Sequence, residues 1–190
     1  MSAQRGRLVV LSGPSGVGKT TVGDGLLRNP AFGRAVTATT RAPRGGEVDG
    51  RDYLFLDTAE FRAGIERGRF LEHAEVHGNL YGTPRDQVDA VRDRGLTCLL
   101  IIDVQGAAIL REKGVDALFV FIAPPSWDVL EARLRGRASD DDDVIRRRLA
   151  NARAELDRQN EYDAVVINDD LSAAIAQIEG LATADGAEQD

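Results

Sequence analysis

Apolar residues along this chain come in short, dense runs rather than in long stripes. Residues 8–11, 98–102, 118–122 and 164–167 are nearly uninterrupted hydrophobic segments, the texture of strands buried on both faces. Helical patterns separate or follow them, and that alternation predicts a parallel sheet with helices on both sides. Between residues 34 and 83 the texture changes. Segments 36–40, 53–56 and 70–76 mix apolar with polar positions, as half-solvated strands do, so this block reads as an insertion with its own small sheet. Asp57-Thr58-Ala59-Glu60 has the form of a capping box opening a short helix toward Arg67. Thr83-Pro84-Arg85-Asp86 opens another, with Pro84 at the first helical position, running to Arg94-Gly95. Farther on, Ser126 is placed to cap a helix over 127–135. A polar stretch, 136–143, interrupts it before a second helix from about Asp142 to Gln159. Such a segment between helices suits a mobile lid. The tail beyond Leu181 is small and acidic and is expected to be disordered.

Composition narrows the class. A chain of 190 residues can bury a full core, as one domain or one with a small insertion. The net charge of −7 argues against a general nucleic-acid or membrane binder, which would usually be basic. The single cysteine, Cys98, lies in an apolar run and reads as a buried thiol with no intrachain disulfide. The residues before Leu8 are polar and basic, and the apolar run that follows is far too short for a secretion signal or a membrane span. The expectation is a soluble, cytoplasmic protein with small-molecule substrates, no nucleic acid, no membrane and no obligate protein partner.

One stretch carries specific chemistry. The run 8–11 leads into Gly13-Pro14-Ser15-Gly16-Val17-Gly18-Lys19-Thr20, which fits G-x-x-x-x-G-K-[ST], and a helix reads from Lys19 through Thr21 to Arg28. Strand, loop and helix are the context a phosphate-binding loop needs. The glycines let backbone N–H groups turn inward toward anionic oxygens, and the helix start adds partial positive charge. Lys19 is suited to the β- and γ-phosphates of a nucleotide, and Thr20 to Mg²⁺. Of 24 basic residues only Lys19 and Lys113 are lysine, so a chain that writes its positive charge as arginine keeps lysine here. No Asn-Lys-x-Asp guanine motif is present, which argues against a small GTPase.

The rest of the chain suggests a second nucleotide. Thr37-Ala38-Thr39-Thr40-Arg41-Ala42-Pro43-Arg44 followed by Gly46-Glu47-Val48-Asp49-Gly50-Arg51-Asp52-Tyr53 closely resembles the guanylate kinase family. So do Glu72, Gly78-Asn79-Leu80-Tyr81-Gly82-Thr83, Asp103-Val104-Gln105-Gly106 and Asn168-Asp169, in the family's order and spacing from about Arg7 to Leu181. The resemblance implies a P-loop core (1–34, 95–125, 160–181), a GMP-binding insertion (35–94) and a lid with flanking helices (126–159), with 182–190 as tail. It implies the reaction ATP + GMP ⇌ ADP + GDP, with Mg²⁺. Arg41 and Arg44 then suit the GMP phosphate, with Tyr53 and Tyr81 as phenolic donors. Glu72 and Asp103 suit the guanine N1–H and N2–H₂ donors, and Thr37 and Thr83 complete the polar set. Most family members carry serine where Thr37 stands. Arg133, Arg137 and Arg148 match the family's phosphate-gripping arginines, and Asn168 its adenine-side contact. A bound monophosphate is a dianion near neutral pH and needs no general base, so the lack of a catalytic histidine is no objection.

Two other readings stay open at this level. One is a catalytically silent, guanylate-kinase-like binding module; against it, Lys19, Thr20 and the lid arginines are all present. The other is a P-loop kinase for a sugar phosphate, which would have no use for Glu72, Asp103 and Thr83. His73 and His77 with Glu75 suggest a metal cluster only weakly, since two histidines on a short strand lack a full ligand set. The clearest departure from the family is Ile101, at a position two before the Asp of Asp-x-Gln-Gly that is commonly acidic.

Overall fold

The computed structural model describes residues 5–76, 78–136 and 142–184. In chain order the elements are β1 (Leu8–Ser12), α1 (Lys19–Leu26), β2 (Phe32–Arg34), β3 (Ala38–Thr39), β4 (Leu54–Phe55), α2 (Thr58–Glu66), β5 (Phe70–Val76) and β6 (Asn79–Pro84). They continue with α3 (Arg85–Arg92), β7 (Thr97–Ile101), α4 (Val104–Glu112), β8 (Leu118–Ala123), α5 (Trp127–Arg135), α6 (Asp142–Leu156), β9 (Ala164–Ile167) and α7 (Leu171–Ala184). A short 3₁₀ turn, Gln159–Glu161, precedes β9.

The chain divides into two compact units. One is made of Val9–Pro30, Ile101–Val104 and Ala117–Asp190. In it β1 pairs with β8 and β8 with β9, all parallel. Every residue of β1 is buried, as its unbroken apolar run predicts. β9 departs from that expectation: Val166 is buried, but Val165 and Ile167 are 37% and 57% exposed. It closes the sheet as an edge strand, so nothing covers its second face, and a four-residue apolar run cannot reveal this in advance. Helix α5 starts where Ser126 accepts the Val129 N–H, and an Arg135–Glu131 pair one turn apart lies on its surface. Helix α7 runs to Ala184, three residues into the stretch read as tail, because Ala182 is buried on its inner side. Residues 185–190, Arg137, His77 and 138–141 of the polar stretch lie outside the described residues.

The other unit is made of Met1–Leu8, Ala31–Leu100 and Gln105–Asp116. It pairs β2 with β7 in parallel and contains a four-stranded sheet in the order β4-β3-β6-β5. Ala38, Phe61 and Phe70 form its buried centre, with Leu54, Leu56, Ile65 and Leu80 packed around them. The Phe61 and Phe70 rings stack at 4.4 Å. The capping box is present in both directions between Asp57 and Glu60. Two elements differ from expectation. β6 is not among the segments that the sequence pattern predicts as strands; it is one because it finds partners on both sides, β5 and β3. Pro84 stands just before α3 rather than inside it, with extended backbone, because it still pairs with Phe70 in the ladder. Cys98 is fully buried, and burial pushes its thiol up to about 12, so it stays protonated and unreactive.

Candidate active site

The phosphate loop spans Gly13 to Thr20 between β1 and α1. Gly18 caps α1 with a left-handed backbone, φ 92°, and makes no side-chain cap bond. A helix start behind a glycine loop presents backbone N–H groups suited to an anion. A Cβ on Gly18 would lie 2.6 Å from the Asn168 amide nitrogen, so glycine is required on steric as well as conformational grounds. Asn168, 8% exposed, donates to the Val17 carbonyl at 2.7 Å. Arg133 reaches that carbonyl and the Asn168 carbonyl at 3.5 Å each. A cavity of about 280 Å³ opens here, lined by Gly16, Gly18, Thr21, Arg133, Asn168, Asp169 and Leu171. A planar base could enter it with its phosphates directed to the loop.

Lys19 folds over the loop, donating to the Gly13 and Pro14 carbonyls at 2.5 and 2.9 Å. Glu155, on α6, belongs to the same neighbourhood. Burial raises its carboxyl above the ordinary range, the charge of Lys19 opposes that, and Asp103 adds to it. Arg148 stands seven residues, two turns, before Glu155 and so shares its face of α6. Ser12, at the end of β1, keeps a fully buried hydroxyl without a hydrogen-bond partner among the described residues. Ser15 and Thr20 are exposed. Asp103 follows β7 by two residues and is half-buried.

The second cluster lies on the small sheet. Thr39 and Thr40 side chains accept the backbone N–H groups of Arg41 and Leu80 at 3.1 and 2.9 Å, setting the chain where it leaves β3. The Arg41 guanidinium lies over the Tyr53 and Phe55 rings, 5.4 and 5.9 Å from their centres. It is paired with Glu47 at 2.8 Å. Tyr53 and Tyr81 meet edge to face at 6.3 Å, and burial raises the Tyr53 phenol above its ordinary range, so its hydroxyl stays a donor. Glu72 is 4% exposed and accepts the Thr83 hydroxyl at 2.5 Å. Alternation along β5 does not by itself say which face is solvated; burial places this carboxylate inside. Tyr81 and Thr83 sit two apart on β6, so both side chains leave the same face about 7 Å apart along the strand. Thr37 is half-buried just before β3, and its carbonyl accepts the Leu54 N–H at 2.8 Å. Arg44 is exposed on the loop that follows.

Most of the expected residues fall into two sets, one in each unit, but Asp103, expected with the guanine set, belongs to the unit that carries the phosphate loop. The donor set brings together Lys19, Arg133 and Asn168; the acceptor set brings together Arg41, Tyr53 and Tyr81, and pairs Glu72 with Thr83. Sequence reasoning gave no role to Glu47, Thr39, Thr40, Phe55, Ser12 or Glu155. Only Glu47 had a readable signal, an acid three residues after one loop arginine and six after another. The others gain meaning from neighbours far along the chain. Among the described residues no group of three or more His, Cys, Asp or Glu could hold a metal, so the weak reading of His73 and Glu75 finds no support there.

A loop built for triphosphate oxygens, with a separate arginine–tyrosine cluster able to take another phosphate, defines a P-loop phosphotransferase acting on two nucleotides. Comparison with known proteins agrees. The family model described as guanylate kinase matches residues 5–184. The chain is 47% identical to a guanylate kinase of Paramagnetospirillum magneticum over 96% of its own length and 86% of that protein's. It is 52% identical to one from Aromatoleum aromaticum over 90% and 84%. The crystal structure of guanylate kinase from Anaplasma phagocytophilum superposes with a TM-score of 0.79 at 34% identity, covering 98% of this chain and 89% of that one. The chain belongs to the guanylate kinase family.

On the reading of Arg137 and Arg148 as lid arginines, which the resemblance implies, Arg148→Ala and Arg137→Ala are each expected to lower kcat more than the KM for GMP, since contacts made on closure serve the transition state. Steady-state kinetics with both substrates varied would check this, and an effect confined to the GMP KM would remove them from that role.

Proposed function

We infer that this chain transfers the γ-phosphoryl group of ATP to GMP, and to dGMP, giving ADP and the corresponding diphosphate. The observation that supports the acceptor assignment most directly is the buried Glu72–Thr83 pair on the sheet that carries Tyr81. A buried carboxylate suits the adjacent N1–H and N2–H₂ donors of guanine, and Tyr81, on the face Thr83 shares, lies toward a phosphate gripped by Arg41, Arg44 and Tyr53. We assign residues 35–94 to acceptor binding, 126–159 to the lid and the remaining core to ATP. Asp103 and Thr37 complete the guanine set. Adenine has an acceptor at N1 and no donor at C2, so it would leave the carboxylate facing a lone pair; discrimination of several kcal/mol follows.

The acceptor phosphate, with a second pKa of about 6, is already a dianion at neutral pH and attacks without a general base. What the protein supplies is position and charge. Lys19 holds the β- and γ-phosphates, the loop N–H groups face the same oxygens, and Arg137 and Arg148 offset charge on the transferring group. Asn168 and Arg133 hold the adenine side.

Mg²⁺ fits the residues present. The donor loop offers the exposed Thr20 hydroxyl, and no all-protein cage stands among the described residues, in keeping with a cation that retains several waters and leans on phosphate oxygens. When bound it would neutralise charge on the β- and γ-phosphates. Ile101, half-buried at the end of β7, stands where an acid is common, so a raised Mg²⁺ requirement is expected. Ile101→Asp should lower the Mg²⁺ concentration giving half-maximal rate. Titrating Mg²⁺ against both proteins at fixed MgATP checks it; an unchanged midpoint would place that side chain outside the metal's surroundings.

No described helix is long and apolar enough to cross a membrane. We place the activity in the cytoplasm, and nothing in it calls for a nucleic acid or a second protein chain. An ADP-release assay with GMP, dGMP, AMP, UMP and ribose phosphates tests the whole reading. Turnover is expected with the two guanine nucleotides; turnover with a ribose phosphate, or with none of them, would overturn it.

A further inference from the structure

We propose that Glu47 is a positioning residue for the acceptor phosphate, holding Arg41 and Arg44 in a ligand-ready arrangement instead of competing with phosphate for them. This rests on the reading of those two arginines as the grip on the GMP phosphate.

The geometry is reciprocal. One terminal nitrogen of Arg41 donates to both Glu47 carboxylate oxygens, at 2.8 and 3.0 Å. The other donates to the Ala42 carbonyl at 2.6 Å. Tyr81 lies close enough to the same guanidinium to favour its charged form. With one edge on Glu47 and its plane over Tyr53 and Phe55, the guanidinium is fixed in orientation before any ligand arrives. The Arg44 backbone N–H also donates to Glu47, at 2.7 Å, and the Glu47 N–H donates to the Arg44 carbonyl at 3.0 Å. Glu47 thus locks a turn as well as an arginine. The hydrogen bond from Arg41 holds its carboxyl below the usual range, so it is ionised at neutral pH.

This loop needs such a lock. Residues 42–51 are almost all exposed, and Gly46 and Gly50 carry positive φ of 87° and 76° with nothing packed near them. Beside a few turn bonds and one isolated bridge between Asp49 and Tyr53, acidic side chains pin the backbone. Glu47 takes the Arg44 N–H at 2.7 Å, Asp49 the Phe55 N–H at 2.9 Å and Asp52 the Val48 N–H at 2.8 Å. A loop left unpinned would have to be ordered by the substrate, and that entropy would come out of affinity.

The alternative makes the opposite prediction. A carboxylate on Arg41 also resembles a phosphate, and removing it adds positive charge near a dianion. If Glu47 merely blocked the site, its loss would tighten GMP. A turn closed in both directions between residues 44 and 47 argues for the lock.

The experiment is a double-mutant cycle on the full chain, with Glu47→Gln, Arg41→Ala and the pair, reading kcat and the KM for each substrate. Glu47→Gln is expected to raise the KM for GMP about ten-fold with kcat and the ATP KM within about two-fold. In the Arg41→Ala background it should add less than about two-fold, because its effect runs through Arg41. An unchanged or lowered GMP KM overturns the inference, as does a full additional penalty without Arg41 or a parallel loss in kcat and ATP KM. If wild type phosphorylates GMP and one of these outcomes follows, the inference fails alone. Wild type that neither binds nor phosphorylates GMP overturns the underlying site reading and this inference with it.

Discussion

Lys19→Ala is expected to abolish detectable turnover while GMP binding survives. Lys19 belongs to the phosphate loop, where its ammonium spans the Gly13 and Pro14 carbonyls. On the proposed reading its replacement removes the positive charge that the loop itself places beside the β- and γ-phosphates. Loss of a single well-placed donor to a transition state costs on the order of 10²–10³ in rate, and a full charge at a transferring phosphoryl more than that. The fold should tolerate the change, since the core of that unit is the buried strand β1 and its neighbours rather than the loop. The Lys19 bonds to the Gly13 and Pro14 carbonyls stay within the phosphate loop. Isothermal calorimetry with GMP alongside an ADP-release assay separates the two effects. An equal loss of GMP affinity would count against the division into donor and acceptor sites.

Glu72→Gln should damage use of GMP while leaving ATP affinity nearly intact. The carboxylate is 4% exposed and accepts from Thr83 at 2.5 Å, and an ionised carboxylate is acceptor-only, the partner that adjacent N–H donors of a base require. Glutamine keeps the shape and one acceptor oxygen, but it must place an NH₂ against Thr83 or against a guanine donor. Loss of a charge-assisted pair in a buried setting corresponds to about 2–4 kcal/mol, on the order of 10²-fold in kcat/KM for GMP. A wild-type GMP profile for this variant would remove Glu72 from base recognition. A variant that gained AMP turnover would show instead that the carboxylate acts mainly by excluding the wrong base.

Local chemistry was legible from the residues in order. The P-loop spacing, the capping box at Asp57 and Glu60, the Ser126 cap and the buried runs of β1 and β8 are all statements about neighbours within a few positions. Physics at that range is carried by backbone geometry and by apolar periodicity, both of which are written directly in the chain. The family resemblance rested on the same kind of short, spaced segments. What the order of residues could not decide is what each segment meets. β6 has no apolar alternation that marks a strand, since Gly78, Gly82 and Pro84 interrupt it, and it becomes one only by pairing on both sides with β5 and β3. β9 shares the apolar texture of β8 yet exposes Val165 and Ile167, because a position at the edge of a sheet belongs to the assembly and not to the strand. Glu72 was as readable on a solvated face as in a site, until burial against Thr83 chose between them. Glu47 and Glu155 were acids among the 31 acidic residues of the chain; only folding placed one against Arg41 and the other in the field of Lys19. Electrostatic roles of this kind depend on distance and on exclusion of water, and both are set when the chain closes on itself.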